Sequence, residues 1–155
     1  MLQKYKTKRE EGFTIIEVLI VLAIAGLIIL IVFLAVPALQ RNSRNTSRKE
    51  DVSRIAGSTQ EVLNNNNGQV AALTSAAVQD AVGTTLAYYQ SSDISVVAAS
   101  GTASNGTSKE TVEVYTGGKC QTGGQVDNTD TSARQVAIAY TVETGGGEAK
   151  VCQDV

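Results

Sequence analysis

Few residues in this chain are equipped for chemistry. It contains no His, so the usual general base near neutral pH and the commonest metal ligand are both missing. Cys120 and Cys152 enclose a loop of 33 residues. They can form a disulfide, stay as two thiols or hold a metal, but a zinc site lacks ligands without His or further Cys. Asp127-Asn128-Thr129-Asp130 has the acids of a calcium loop without its Gly and closing Glu, and reads as a polar turn. Gly117-Gly118-Lys119-Cys120 has no Gly five residues before Gly118, so it is not a phosphate loop. Asn45-Thr46-Ser47 and Asn105-Gly106-Thr107 fit the glycosylation acceptor pattern, which is short enough to arise by chance. No nucleophile–base pair and no metal-ligand cluster stands out, and the expectation is a chain that is not an enzyme, with no cofactor and no metal. The residue that asks for an explanation is Glu17. It is an acid inside an apolar run, where a charge costs up to ~2.5–3.5 kcal/mol at the centre of a membrane.

The elements around these residues follow from how apolarity and charge are distributed. The mean hydropathy of −0.01 averages over a sharp partition. In residues 13–36, 21 of 24 are apolar, with seven of the ten Ile and both Phe of the chain. As a helix this run spans roughly 36 Å, enough to cross a ~30 Å hydrocarbon core. An ordinary secretory signal has an apolar region of only about 7–15 residues, so a membrane-spanning helix is the better reading. Residues 1–12 form a short basic leader, net +2, and residues 37–63 also carry net +2. Residues 64–155 carry net −5, which speaks against direct nucleic-acid binding by that part.

Residues 37–63 continue the helix beyond the apolar run. Val52, Ile55, Thr59 and Val62 make one stripe at helical spacing. Arg41, Arg44 and Arg48 form a basic strip at the same spacing, and Pro37 removes one backbone donor. The run Asn64 to Asn67 followed by Gly68 is a helix stop. Residues 64–155 form a small head. Val70, Leu73, Ala77 and Ala81 predict a second helix over 69–82, ending at Gly83. Strands are expected over 94–98, 111–115, 135–142 and 148–152, with Thr144-Gly145-Gly146-Gly147 as a hairpin turn. The head has no Trp and no Phe, so its core must be built from Val, Ala and a few Tyr. A core that thin needs a staple or packing from outside.

The residues Gly12-Phe13-Thr14-Ile15-Ile16-Glu17-Val18-Leu19-Ile20-Val21-Leu22-Ala23-Ile24 closely resemble the N-terminal signature of type IV pilins and pseudopilins. The resemblance implies an α+β fold, a long stem helix with a small antiparallel sheet head. It implies cleavage by a prepilin peptidase between Gly12 and Phe13, and N-methylation of Phe13. The stem is then first a membrane anchor and later the core of a filament. Counting Lys and Arg on the two flanks does not decide orientation; the resemblance places the leader inside and the head outside. An exported head, together with the disulfide often found there in the family, makes a Cys120–Cys152 bond the expectation. Glu17 takes a role in assembly: after cleavage the Phe13 amine lies one helical turn away, and a neighbouring subunit's amine can pair with the carboxylate. The plainer reading leaves Glu17 as an interfacial acid among lipid headgroups.

The function expected from these readings is structural, a prepilin whose mature form polymerises into a type IV pilus. Adhesion, twitching motility or DNA uptake would belong to the assembled fibre. The implied partners are other copies of the chain in a helical homopolymer, the peptidase, and an inner-membrane assembly platform with its ATPase. The implied location is the membrane as a single-pass precursor, then the bacterial cell surface. A minor pilin or pseudopilin of a type II secretion or competence system is the nearest alternative. A membrane-anchored surface binding protein is the alternative of another class, and it gives no reason for the Gly12 junction or for Glu17.

Overall fold

The structure is a computed structural model, and it describes residues 12–84, 86–98, 110–127, 129 and 134–155. Helix α1 runs over Ile15–Asn65 and carries Pro37 within it. Its C-terminus is the expected stop. Asn67 and Gly68 take positive φ values of 55° and 74°, and the Gly68 amide donates to the Leu63 carbonyl at 2.7 Å. Residues after a helix that adopt this left-handed backbone let the last carbonyls find donors. The chain divides into two units at Ala38 and Leu39. In the first, the large apolar side chains from Phe13 to Val36 are all exposed.

In the second unit the expected stripe is the buried face of α1. Val52, Ile55 and Thr59 are fully buried and Val62 nearly so. The expected helix over 69–82 is broken in two. A single 3-10 turn occupies Val70–Ala72, and helix α2 occupies Ser75–Val82. Leu73 and Thr74 between them are extended, and the Thr74 side chain accepts the Ala77 amide as an N-cap. Apolar spacing at 70, 73, 77 and 81 ran across that cap unchanged, so periodicity alone could not show the break. Gly83 ends α2 with a φ of 67°.

Strand β1 spans Ile94–Val97, β2 Val112–Thr116, β3 Lys119–Cys120, β4 Val126–Asp127, β5 Val136–Thr144 and β6 Gly147–Asp154. Four of them make a sheet in the order β1-β2-β5-β6, and β3 pairs with β4 separately. The stem helix and small sheet head are the α+β fold expected, with one refinement to the sheet: β1 lies parallel to β2, with Ile94 opposite Val112. Parallel neighbours need a long connection, and β1 ends at Val97 while β2 begins only at Val112. β2, β5 and β6 are antiparallel, and Thr144 faces Gly147 across the hairpin. Strands β3 and β4 were not foreseen, because two residues are too few to show a period.

The central strands β2 and β5 are buried on both faces. Val112, Val114, Val136, Ile138 and Tyr140 join the α1 stripe, α2 and Ile94 in one cluster. Tyr115, Ala137 and Ala139 pack on the other side with Val126, Cys120 and Cys152. The β3–β4 turn approaches β6 very closely at Gly124, whose φ is 75°. A Cβ there would lie 2.1 Å from the Lys150 carbonyl oxygen. Gly124→Ala is therefore expected to destabilise the head by about 2–4 kcal/mol, combining backbone strain with overpacking. A thermal melt of the purified variant against wild type measures it.

Candidate functional site at the start of the stem helix

Gly12, Phe13 and Thr14 precede the first turn of α1 and are exposed, Phe13 at 89 %. No neighbour lies within 4 Å of where a Cβ on Gly12 would stand. The junction between Gly12 and Phe13 thus sits on non-helical, accessible backbone, the form in which a peptidase can take a chain. One turn on, Glu17 reaches back to Thr14. Its Oε2 accepts the Thr14 amide at 2.9 Å and the Thr14 hydroxyl at 2.7 Å. In return the Thr14 hydroxyl accepts the Glu17 amide at 3.4 Å. This is a capping box, which satisfies donors that a helix start leaves open and places a negative charge at the positive end of the helix.

That cap went unread in the sequence, although Thr14-x-x-Glu17 before an apolar run is its ordinary signal. It gives Glu17 a role inside its own chain besides any role between chains. Both Thr14 donors converge on Oε2; the lone pairs of Oε1 lie outside the cap. The carboxylate is thereby held in one orientation with acceptor capacity to spare.

The other residues singled out fall elsewhere. Cys120 and Cys152 are joined as a disulfide, with Cα atoms 5.5 Å apart, clamping β3 to β6. Closing this loop contributes roughly 3–4 kcal/mol on the chain-entropy model, so Cys152→Ser is expected to cost about that much. Denaturant unfolding with and without reductant checks it, since reduced wild type should match the variant. Asp127 accepts the Thr129 amide and hydroxyl, and the Thr129 hydroxyl above all holds its carboxyl below the ordinary Asp range. The rest of the expected polar turn, Asn128 and Asp130, lies outside the described residues, as does Asn105. Asn45 is engaged with β5: its amide donates to the Glu143 carbonyl at 2.7 Å and its oxygen accepts the Glu143 amide at 2.8 Å. That pairing leaves the Asn45 side chain poorly placed to accept a sugar.

The basic strip needs a correction. Arg44 and Arg48 both bond Glu143, at 2.5 and 3.1 Å, and Arg48 is completely buried. Its guanidinium also donates to the Thr141 carbonyl and the Tyr88 hydroxyl, and lies 4.4 Å from the centre of the Tyr88 ring. Asp51, one turn on and equally buried, accepts the amides of Ala87, Tyr88 and Tyr89 at 2.8, 2.6 and 3.0 Å. Arg48 and Asp51 stand four residues before Val52 and Ile55, in line with the buried stripe, and that register was the available hint. They form a polar latch within the head.

The chain matches the family model of the prokaryotic N-terminal methylation motif over residues 7–33. No curated protein and no solved structure matches it. The matched stretch takes in the exposed Gly12–Phe13 junction, the Thr14–Glu17 cap and most of the apolar run. At its N-terminal end, the chain carries the signature of type IV prepilins.

Proposed function

We propose that the chain is a prepilin, cut between Gly12 and Phe13, methylated on Phe13 and polymerised through its stem into a surface fibre. The observation that carries this reading is the state of the stem behind the matched motif. Nineteen large apolar side chains between Phe13 and Leu39 are exposed, far more than a water-soluble surface tolerates. Among the described residues, α1 is the helix long and apolar enough to cross a membrane. A bilayer covers such a surface in the precursor, and the stems of neighbouring copies cover it in a fibre. Assembly then exchanges lipid for protein around the same side chains, which makes it reversible in principle and dependent on a platform with an ATPase.

On this reading the protein is a structural subunit, and adhesion, twitching motility or DNA uptake are properties of the fibre. A place as a minor pilin or as a pseudopilin in secretion or competence uses the same stem chemistry with fewer copies. Mass spectrometry of the mature N-terminus is the test. Surface-exposed protein is expected to begin with a methylated Phe13, and retention of residues 1–12 there overturns the proposal. Gly12→Leu is expected to leave nearly all of the protein as uncut, membrane-bound precursor, since a subsite that accepts Gly has little room for a branched side chain. Electron microscopy of cells with and without the gene then separates a major subunit from a minor one.

A further inference from the structure

The two outer strands of the head sheet, β1 and β6, are covered in different ways. An outer strand carries alternate backbone groups that point away from the sheet, ready to pair with another chain. Against β6 lies the β3–β4 turn, tied down by the Cys120–Cys152 disulfide. The Gly124 backbone abuts Lys150 and Val151, and the Cys120 amide donates to Asp154 at 2.7 Å. That cover is covalent.

β1 has no such clamp. Among the described residues its cover is helix α2, through two polar side chains. The Val96 amide donates to the Ser75 hydroxyl at 2.9 Å, and the Gln79 side-chain amide donates to the Ile94 carbonyl at 2.8 Å. The Ile94 amide is taken by the Ser91 carbonyl. Ser75 and Gln79 are four residues apart and so lie on one face of α2. Ile94 and Val96 are two residues apart, so their free groups point the same way from the strand. The rise of one helical turn, ~5.4 Å, nearly matches the ~6.6 Å between alternate strand residues. An acceptor and a donor on the helix therefore reach a donor and an acceptor on the strand, as a neighbouring strand would. The buried side chains of α2 are Val78 and Val82, with Ala77 packed partly against the same core. Neither Ser75 nor Gln79 is required for that packing.

We infer that Ser75 and Gln79 guard the β1 edge: they occupy the groups through which the head would otherwise pair, strand to strand, with a second copy of this chain. The second copy is the relevant occupant because any polymer or crowded membrane of this protein brings identical edges together at high local concentration. A subunit that associates through its stem must not also associate through its sheet, since edge pairing has a different geometry and would trap disordered aggregates. The choice of occupant rests on the proposed stem association, whereas the hydrogen bonds that cover β1 belong to the head and are tested without a fibre.

The test uses the full chain in detergent micelles with its disulfide intact, so that the stem is covered identically in every variant. In Ser75→Ala/Gln79→Ala, amide exchange at Val96 is expected to accelerate at least tenfold. Particle mass by sedimentation is expected to rise with protein concentration, along with an infrared signal of intermolecular strands. Adding Val96→Pro, which removes the outward donor and is tolerated on an outer strand, is expected to restore the wild-type mass. Gln79→Lys keeps a donor for the Ile94 carbonyl and is expected to behave as wild type. Accelerated exchange with unchanged mass shows an edge with no tendency to pair, and overturns the inference. So does a mass increase that Val96→Pro leaves in place, because the contact then lies elsewhere. If the double variant loses its near-ultraviolet tyrosine signal, Ser75→Ala and Gln79→Ala singly, each lacking one hydrogen bond, are judged by the same criteria.

Discussion

Glu17→Gln is expected to abolish fibres while leaving precursor cleavage and membrane levels as in wild type. The choice of Gln separates the two roles that Glu17 can hold. Within the chain its Oε2 accepts both the amide and the hydroxyl of Thr14, and Gln serves at that position of a capping box as well as Glu does. The substitution therefore keeps the cap and removes the charge. In the proposed assembly step, the charge pairs with the Phe13 amine of a neighbouring subunit as both leave the headgroup region for an apolar core. An amine buried there without its partner is penalised by about 3–5 kcal/mol, which lowers the assembly constant by roughly a hundred- to several-thousand-fold. Glu17→Ala should do the same to fibres and also weaken the first turn of α1, at a cost of about 1 kcal/mol. Neither change should hinder insertion, because each removes a charge from an apolar run. Counting fibres by electron microscopy, with membrane levels matched by immunoblot, gives the result. Normal fibres from Glu17→Gln and a modest defect from Glu17→Ala would mean that the carboxylate acts only as a cap.

The largest expected loss of stability comes from Asp51→Ala. One carboxylate, with no measurable exposure, holds three successive amides of the segment before β1. Hydrogen bonds to a charged group contribute about 1.5–3 kcal/mol each, and Ala leaves all three donors buried or half-buried without an acceptor. The expected destabilisation is roughly 4–6 kcal/mol, a large part of the stability of a domain this size. Asp51→Asn keeps an acceptor oxygen but loses the charge, and should cost about half as much. Denaturant unfolding followed by tyrosine near-ultraviolet signal measures both. Equal effects of Ala and Asn would show that the charge, rather than the number of acceptors, holds the segment. Loss of the segment also frees Tyr88, which meets Arg48 through its hydroxyl and its ring, so the Arg48 site should loosen with it.

Local patterns in the chain were legible, and pairings across distance were not. The stripe at 52, 55, 59 and 62, the stop at Asn64 to Gly68 and the hairpin at Gly145 and Gly146 each depend on neighbours in sequence. All appear where the residues put them. Strands β1, β2, β5 and β6 appear within about two residues of expectation, because alternation shows where a strand is. It does not show which way a strand runs, so the parallel β1–β2 pair could not be read. The helix over 69–82 is interrupted by a polar signal lying beneath an apolar one, Thr74 as a cap. The Thr14–Glu17 cap at the stem lies beneath an apolar run in the same way. Arg44 and Arg48 read only as part of a basic strip because Glu143 is nearly a hundred positions away. Only the fold brings that acid to them.

Arg48 also imposes an order on events during synthesis. Thr141, which takes one of the Arg48 bonds, lies 93 residues further along the chain. At about 5–20 residues per second, the ribosome needs roughly 5–20 s to make that stretch. Over that interval Arg48, on the future core face of α1, lacks its Thr141 and Glu143 partners, whereas the amides that hold Asp51 are made within 38 residues of it. The head therefore cannot close around α1 until its C-terminal hairpin has emerged. In the proposed prepilin, delivery of the stem to the membrane would then precede folding of the head, and a chain released early would present the charged face of α1 to quality-control proteases. The wait is built into the distance between Arg48 and Glu143, and moving the partner of Arg48 to an earlier strand should shorten it.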